Sequence, residues 1–561
     1  MPQRRGTRSR VALRRPGGVV SLPGVSQAEL VLGPLLRHVD ATSATVWVET
    51  SAPCEVAVEA GTAGARAPTF EVSGHHYALV VLTGLEPAAS LPYTVRLDGR
   101  AVWPEPDSRF PASRIRTLPT AGGALFRLLC GSCRQPNGFG ALGSDALEAY
   151  AERMARQPED TWPQALLLLG DQVYADETTV ATRRWLAGRR DLRRAPGSEV
   201  TDFEEYAHLY RETWGDPAMR WLISTLPVSM IFDDHDVRDD WNTSEAWRER
   251  MRRQPWWEGR LRAAFMSYWV YQHLGNLGPA ELADDPTVAD VLGGPGDRAE
   301  VLRELADRAD HELDGRKDVR WSYRRQFGRV RLLVIDSRAG RILGGGRRSM
   351  LDEDEFRWVE DNAVGDHDHL LIGSSLPWLL PPAFSHLESA NERACTRPGR
   401  RGRFAEWIRQ AADLEHWAAF RDSFDRLSRL IVRIGQSRDA PATVSVLSGD
   451  VHHSYVAGAR FPWRLTSAVF QLTCSPLHNK VPWYLRGVLR AGWWSVAERL
   501  ARRWSRWAGV EPPEVEWSRT TGPHFGNAVL TLELAGRRAE AILECARPEG
   551  LVEQARLPLA L

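Results

Sequence analysis

Two strings far apart in the chain, LLLLGDQVYAD over 166–176 and VSVLSGDVHHSYV over 444–456, limit its fold more than any other feature. Each is an apolar run that ends in Gly-Asp and continues into side chains that bind metals well: Tyr174 after the first, His452 and His453 after the second. Such a run reads as a strand buried on both faces, with its polar ending as the loop that leaves the strand. Two such endings suggest one site built from both. The pattern returns in ALFRLLCGSCRQ over 124–135 and SMIFDDHDVRDDWN over 229–242.

Apolar runs at 124–130, 165–169, 228–232, 331–335, 370–373 and 443–447 alternate with amphipathic stretches such as 144–157, 298–312 and 351–363. From 121 to 561 the chain therefore reads as one large layered α/β domain. Ligands of such sheets gather beyond the carboxyl ends of the strands. The clusters CGSCRQ, GDQVY, DDHDVRDD, DSRAGR and GDVHHS each follow a strand, which argues for a shared site. The string of Asp366, His367, Asp368 and His369 precedes its strand instead, so it reads as a solvated turn at the opposite end.

Residues 28–120 differ: short stretches rich in Val, Thr and aromatics are separated by Gly, Pro and Ala turns, the mark of a small antiparallel β-sandwich. LTGLEPAASLPYTVRLDG and RTLP resemble a fibronectin type III domain, with Trp47 and Tyr93 as its expected core aromatics. Nothing in this part looks catalytic, and its expected role is to pack against its neighbour. Residues 1–27 read as a disordered basic arm. Its arginine pairs are not followed by the apolar stretch of an export signal, so the expected location is the cytoplasm, with export left open if the start codon is misassigned.

Composition narrows the function classes. Lys+Arg and Asp+Glu balance at 72 each, so no global field points to nucleic acid. Six cysteines in 561 residues do not make a disulfide framework. Cys130 and Cys133 form a CxxC pair, but Cys130 ends a strand and no second pair completes a zinc site. Cys130 reads as core and Cys133 as turned to the site.

Asp171 and Asp450, each after a glycine, suit hard cations and can bridge two of them. A Cys133 thiolate, the Tyr174 phenol and the His452 imidazole with a carboxylate favour a transition metal such as iron. The carboxylate-only side then suits calcium, manganese or magnesium. Asp233 and Asp234 precede His235, and three carboxylates with a histidine at a strand end are costly without cations to balance them.

The ordered set GSCRQ, GDQVYAD, DDHDVRDDWN, DSRAGR with MLDEDEFRWVE, and SGDVHHS resembles the alkaline phosphatase D (PhoD-like) metallophosphoesterases over nearly the whole chain. The resemblance implies a metallophosphoesterase-type sheet sandwich flanked by helices, and ligation of two or more metal ions by Cys133, Asp171, Tyr174, Asp234, Asp450 and His452. It implies iron plus calcium, with manganese, magnesium or zinc as alternatives, and Cys133 and Tyr174 on the iron. His235 would act at the reacting phosphate, and Arg338 and Arg341 are candidates for forked contacts to its oxygens, the alternative for both being a salt bridge to Asp336 or Asp352. A further ligand comes from Asp239, Asp240 or Asn242, with Asp240 taken as the first choice. The implied activity is hydrolysis of phosphate mono- or diesters by a metal-activated hydroxide. The alternative is a non-catalytic, metal-stabilised protein that binds phosphorylated ligands or anionic membranes.

Helical insertions are expected near 245–320, 395–430 and 481–510. The last, VPWYLRGVLRAGWWSVAERLARRWSRWAGV, mixes five tryptophans with six arginines. It reads as an amphipathic helix packed on the domain with snorkelling arginines, the alternative being peripheral contact with a membrane.

Overall fold

The computed structural model describes residues 27–120, 123–140 and 142–561. The basic arm expected over 1–27 lies, but for its last residue, outside the described residues.

The N-terminal part is a sandwich of two sheets. One orders Leu30–Val39, Ser43–Thr50, His75–Thr83 and Phe70–Val72; the other orders Ala63–Pro68, Glu55–Ala60, Ser90–Leu97 and Arg100–Trp103. Its core contains Leu36, Val46, Val58, Val80 and Tyr93. Trp47 departs from expectation. It faces out of the sandwich and packs against Tyr77 and Tyr271, inside a core continuous with that of the large domain. Arg37 is buried at the same junction and donates to the carbonyls of Val228, Tyr271 and Gln272 at 3.2, 2.7 and 2.6 Å. A buried guanidinium needs such acceptors. The sandwich thus braces the base of the strand that carries Asp233 and Asp234.

The large domain faces a six-stranded sheet with a seven-stranded one. In the first, β1 (Phe126–Gly131), β2 (Ala165–Leu169) and β3 (Val228–Ile231) run parallel, and the antiparallel strands Ala528–Ala535, Arg538–Arg547 and Gly550–Ala560 follow on the other side of β1. In the second, β4 (Val330–Ile335), β5 (His369–Ser374), β6 (Thr443–Ser448) and β7 (Ala468–Thr473) run parallel. Leucines of β2 and β6 share one apolar core, and Gly373 in β5 sits where a methyl group would lie 3.2 Å from Leu169. β2, β4, β5 and β6 are close to continuously buried, as strands covered on both faces must be.

Helices cover the outer faces. They include α1 (Pro382–Cys395), α2 (Arg400–Ala411), α3 (Arg421–Gly435), α4 (Leu485–Ala491) and α5 (Ser495–Trp507). Among the described residues no helix is long and apolar enough to cross a membrane. His367 and His369 do lie at the far end of β5, but they are buried rather than solvated, and His369 bonds Thr443 and the Gly536 carbonyl.

Candidate metal centre

The loops leaving β1, β2, β3, β4 and β6 converge beyond the carboxyl ends of the parallel strands. Several of their key residues have left-handed backbone: Cys133 at φ 58°, Asp171 at 52°, Asp450 at 65° and His452 at 50°. Non-glycine residues seldom adopt this region, and each costs about 1–3 kcal/mol that the surrounding structure must offset. The two Gly-Asp glycines have different reasons. Gly170 has φ 102°, and a Cβ there would come within 2.5 Å of the Asp233 side chain. Gly449 has no positive φ; it is small because Ser132 from the opposite sheet occupies the space a side chain would need.

Three groups of donor atoms result, each with its atoms within 4.8 Å of one another: Cys133, Asp171 and His452; Asp171, Asp234 and His235; and Asp233, Asp234 and Asp450. The shared members Asp171 and Asp234 link them into one centre. The Tyr174 hydroxyl lies 3.4 Å from Asp171 and accepts a hydrogen bond of 3.0 Å from Asn479. Ser475 donates to the Cys133 sulfur at 3.2 Å. Asp171 Oδ1 and Asp233 Oδ2 are buried without a hydrogen-bond partner.

The electrostatics follow from this crowding. Burial, with neighbouring carboxylates, pushes the acids Asp171 and Asp233 well above the ordinary range. Burial, with Asp171 and Asp450, does the same to the Cys133 thiol. Burial pulls the His452 imidazole down to about 4, so it is neutral and able to ligate. His235 goes the other way. Burial opposes its charge, but the Asp176 carboxylate, 3.0 Å from Nδ1, holds it protonated. Asp450 is held ionised against burial by His416, whose Nε2 is 3.1 Å away, and by Arg338.

Several residues sit elsewhere than the sequence reading expected. Arg338 and Arg341 are fully buried and already engaged. Arg338 pairs with Asp233, with Asp234 and Asp450 at 3.3 Å each and with Glu415 at 2.7 Å. Arg341 donates to the carbonyls of Ser337, Asn242 and Glu415. Neither guanidinium has a free edge for a phosphate; both brace the carboxylates. Asp240 belongs to none of the three donor groups. Its backbone N–H caps Asp234 at 3.0 Å, and burial with Glu415 and Asp413 lifts its carboxyl to about 9. Asn242 donates to the Arg338 carbonyl, and Asp239 is exposed. Asp236 is a tie, accepting the backbone N–H groups of Asp171, Gln172, Val173 and Asp233. His453 stacks on Tyr455 and donates Nδ1–H to the Val451 carbonyl, away from the donor groups. Cys130 is core and Cys133 faces the site.

Sequence reasoning missed Glu388, on α1, and Glu415 and His416, in the insertion expected near 395–430. Glu388 on α1 holds His416 Nδ1 at 2.7 Å, so the imidazole is aimed at Asp450. The adjacent Glu-His of DLEHW was the only available signal.

A cavity of about 690 Å³ opens over the centre. One wall is Asp171, Asp234, His235, Asp450 and His452; the other is apolar, with Phe384, Leu387, Val481, Leu485 and Val488.

Comparison with known proteins agrees with this geometry. Residues 130–285, which supply the loops after β1, β2 and β3, match the model of the PhoD-like phosphatase family. Residues 27–115 match a domain of unknown function, DUF7800. No curated protein matches the chain. A solved structure of PhoD is 12% identical, with a TM-score of 0.56 over 95% of this chain and 94% of that one. A purple acid phosphatase from yellow lupin (Lupinus luteus) seeds is 10% identical, with a TM-score of 0.47 over 94% of this chain and 74% of that one. Residues 130–285 are thus a region similar to the PhoD-like phosphatases, and its loops close on one acidic, donor-rich centre of the kind a phosphoesterase needs.

Proposed function

We propose that the chain hydrolyses phosphate esters with the aid of two or more metal ions and prefers diesters. The observation that carries this reading is the fused set of donor groups with a protonated histidine at its edge. The residues fit such ions: two buried carboxylate oxygens lack any partner, and the donors divide by type. Cys133, Asp171, Tyr174 and His452 suit iron. Asp233, Asp234 and Asp450 suit calcium, manganese or magnesium. Bound there, the ions supply Lewis acidity and lower the pKa of water for attack on phosphorus.

The chain's own residues supply the rest. His235, charged and held through Nδ1 by Asp176, leaves Nε2 to donate a proton to the departing alkoxide. Glu388 and His416 orient Asp450, and Arg338 keeps four carboxylates in place without touching substrate. The apolar wall accepts the organic part of the ester. No arginine or lysine is among the described residues that line the cavity, while Asp239, Glu388 and Asp413 are. A monoester dianion finds little fixed positive charge there, and a diester carries one charge less. A reducing compartment fits the six free cysteines.

Metal analysis with turnover of bis(p-nitrophenyl) phosphate and p-nitrophenyl phosphate tests the proposal. The wild type is expected to cleave the diester faster, and Asp171→Asn to lower that cleavage by about 10³-fold. Tightly bound metal with no turnover of either ester would favour the binding-protein alternative.

A further inference from the structure

The Trp- and Arg-rich segment is not packed as expected. It forms an elbow of α4 and α5, and the larger part of its apolar side faces solvent. α5 lies on α1 through its small residues, with Ala501 and Ser505 buried. Val496, Leu500, Trp504 and Trp507, spaced as one helical face, point outward, and Trp507 is 80% exposed. Trp483, before α4, is 81% exposed, and Trp494 between the helices is exposed as well. An amphipathic helix normally buries its large apolar side chains; here it buries its small ones. An exposed apolar face this extensive marks an interaction surface.

The elbow is anchored beside the candidate centre. Gly492 at its bend sits so close to α1 that a Cβ would come within 2.7 Å of Phe384, and Phe384, Leu485 and Val488 line the cavity over the metal donors. The segment carries Arg486, Arg490, Arg499, Arg502, Arg503 and Arg506 against the single acid Glu498, in a chain whose basic and acidic residues balance only when this segment is counted. Only Arg502 is paired with that acid.

We propose that this elbow docks on an anionic lipid bilayer and passes an amphiphilic phosphodiester from it to the adjoining cavity. Tryptophans at headgroup depth, leucine and valine below them and unpaired arginines against anionic headgroups match the composition of an interfacial helix. A second copy of the chain is a poorer occupant, because a two-fold contact sets the arginines of one elbow against those of the other. The delivery of substrate rests on the diesterase reading above; the docking does not.

Flotation of the full chain with vesicles of phosphatidylcholine containing about 30 mol% phosphatidylglycerol, against pure phosphatidylcholine, tests the docking. The wild type is expected to float with the anionic vesicles. Trp504→Ser with Trp507→Ser is expected to cut the bound fraction about tenfold, with melting temperature and turnover of soluble bis(p-nitrophenyl) phosphate unchanged. Arg499→Gln with Arg503→Gln and Arg506→Gln is expected to remove the preference for anionic vesicles. A wild type that stays unbound, a tryptophan variant that floats as well as the wild type, or a dimer that this variant disperses overturns the docking. Bound protein that cleaves the soluble diester but no vesicle phosphodiester overturns the delivery. Flotation without cleavage of any ester counts against the diesterase reading and leaves the docking standing.

Discussion

Asp171 leaves the first sheet and Asp450 the second, each behind a glycine and each in left-handed backbone, yet their carboxyls are pushed in opposite directions. Asp171 has a distant Tyr174 hydroxyl, one oxygen without a partner and three aspartates nearby. Asp450 has His416 on one oxygen and Arg338 on the other. Two equivalent strand ends therefore give one carboxyl whose ionisation burial and neighbouring carboxylates oppose and one whose ionisation His416 and Arg338 favour. Charge at such a centre is set by the groups around the ligands as much as by the ligands.

The largest effects should come from removing either carboxylate. Asp171→Asn and Asp450→Asn are each expected to lower diester turnover by about 10³-fold, as the loss of several kcal/mol of metal-derived stabilisation implies. The asymmetry should show in the metal-free protein. Asp450→Asn leaves the charges of His416 and Arg338 short of a partner and is expected to cost about 3 kcal/mol. Asp171→Asn replaces a carboxyl that burial already keeps neutral and is expected to cost little. Urea unfolding of both apo variants checks this, and the reverse order would break the comparison.

Arg338→Met comes next. It strands a cluster of buried carboxylates, so the expected result is a loss of about 3–5 kcal/mol in urea unfolding. A normally stable variant with only a raised KM would restore the phosphate-fork reading. His416→Gln should lower metal affinity about 10–100-fold, read by competition with a chelator, because it removes the group that orients Asp450.

A smaller effect is a pH slope. Burial raises the carboxyls of Asp236 to about 7 and Asp240 to about 9, so the folded chain holds protons that the unfolded chain releases near 4. These groups add stability that is present at low pH and is lost as pH rises through the folded values. The metal-free protein is therefore expected to melt at progressively lower temperature between pH 5 and 9, and added cation to flatten the slope. Smallest of all, Asp240→Asn should change turnover less than about threefold, since its side chain is outside the donor groups. A 10²-fold loss would return it to the ligand set.

Strand ends were legible because a buried strand needs an apolar run and its loop needs polar residues, a signal local to a few positions. Cys133, Asp171, Asp234, His235, Asp450 and His452 could be found that way, and the structure brings them together. Their supports could not. His416 is held by Glu388, 28 residues before it, and meets Asp450 only after α1 has folded over the second sheet. Arg338 and Arg341 look the same in sequence whether they face a phosphate or a ring of carboxylates, because an arginine carries no record of which partner reaches it first.

The elbow shows the same division. Its composition and helical period stand in the sequence, as do the alternating strands, the two-part organisation and the types of metal donor. Which face of the helix is buried was decided by α1, which offers room for Ala501 and Ser505 and leaves the tryptophans outside. Local order follows from neighbours along the chain. Charge state, bracing and exposure depend on neighbours across it, and those exist only once the two sheets have closed on one another.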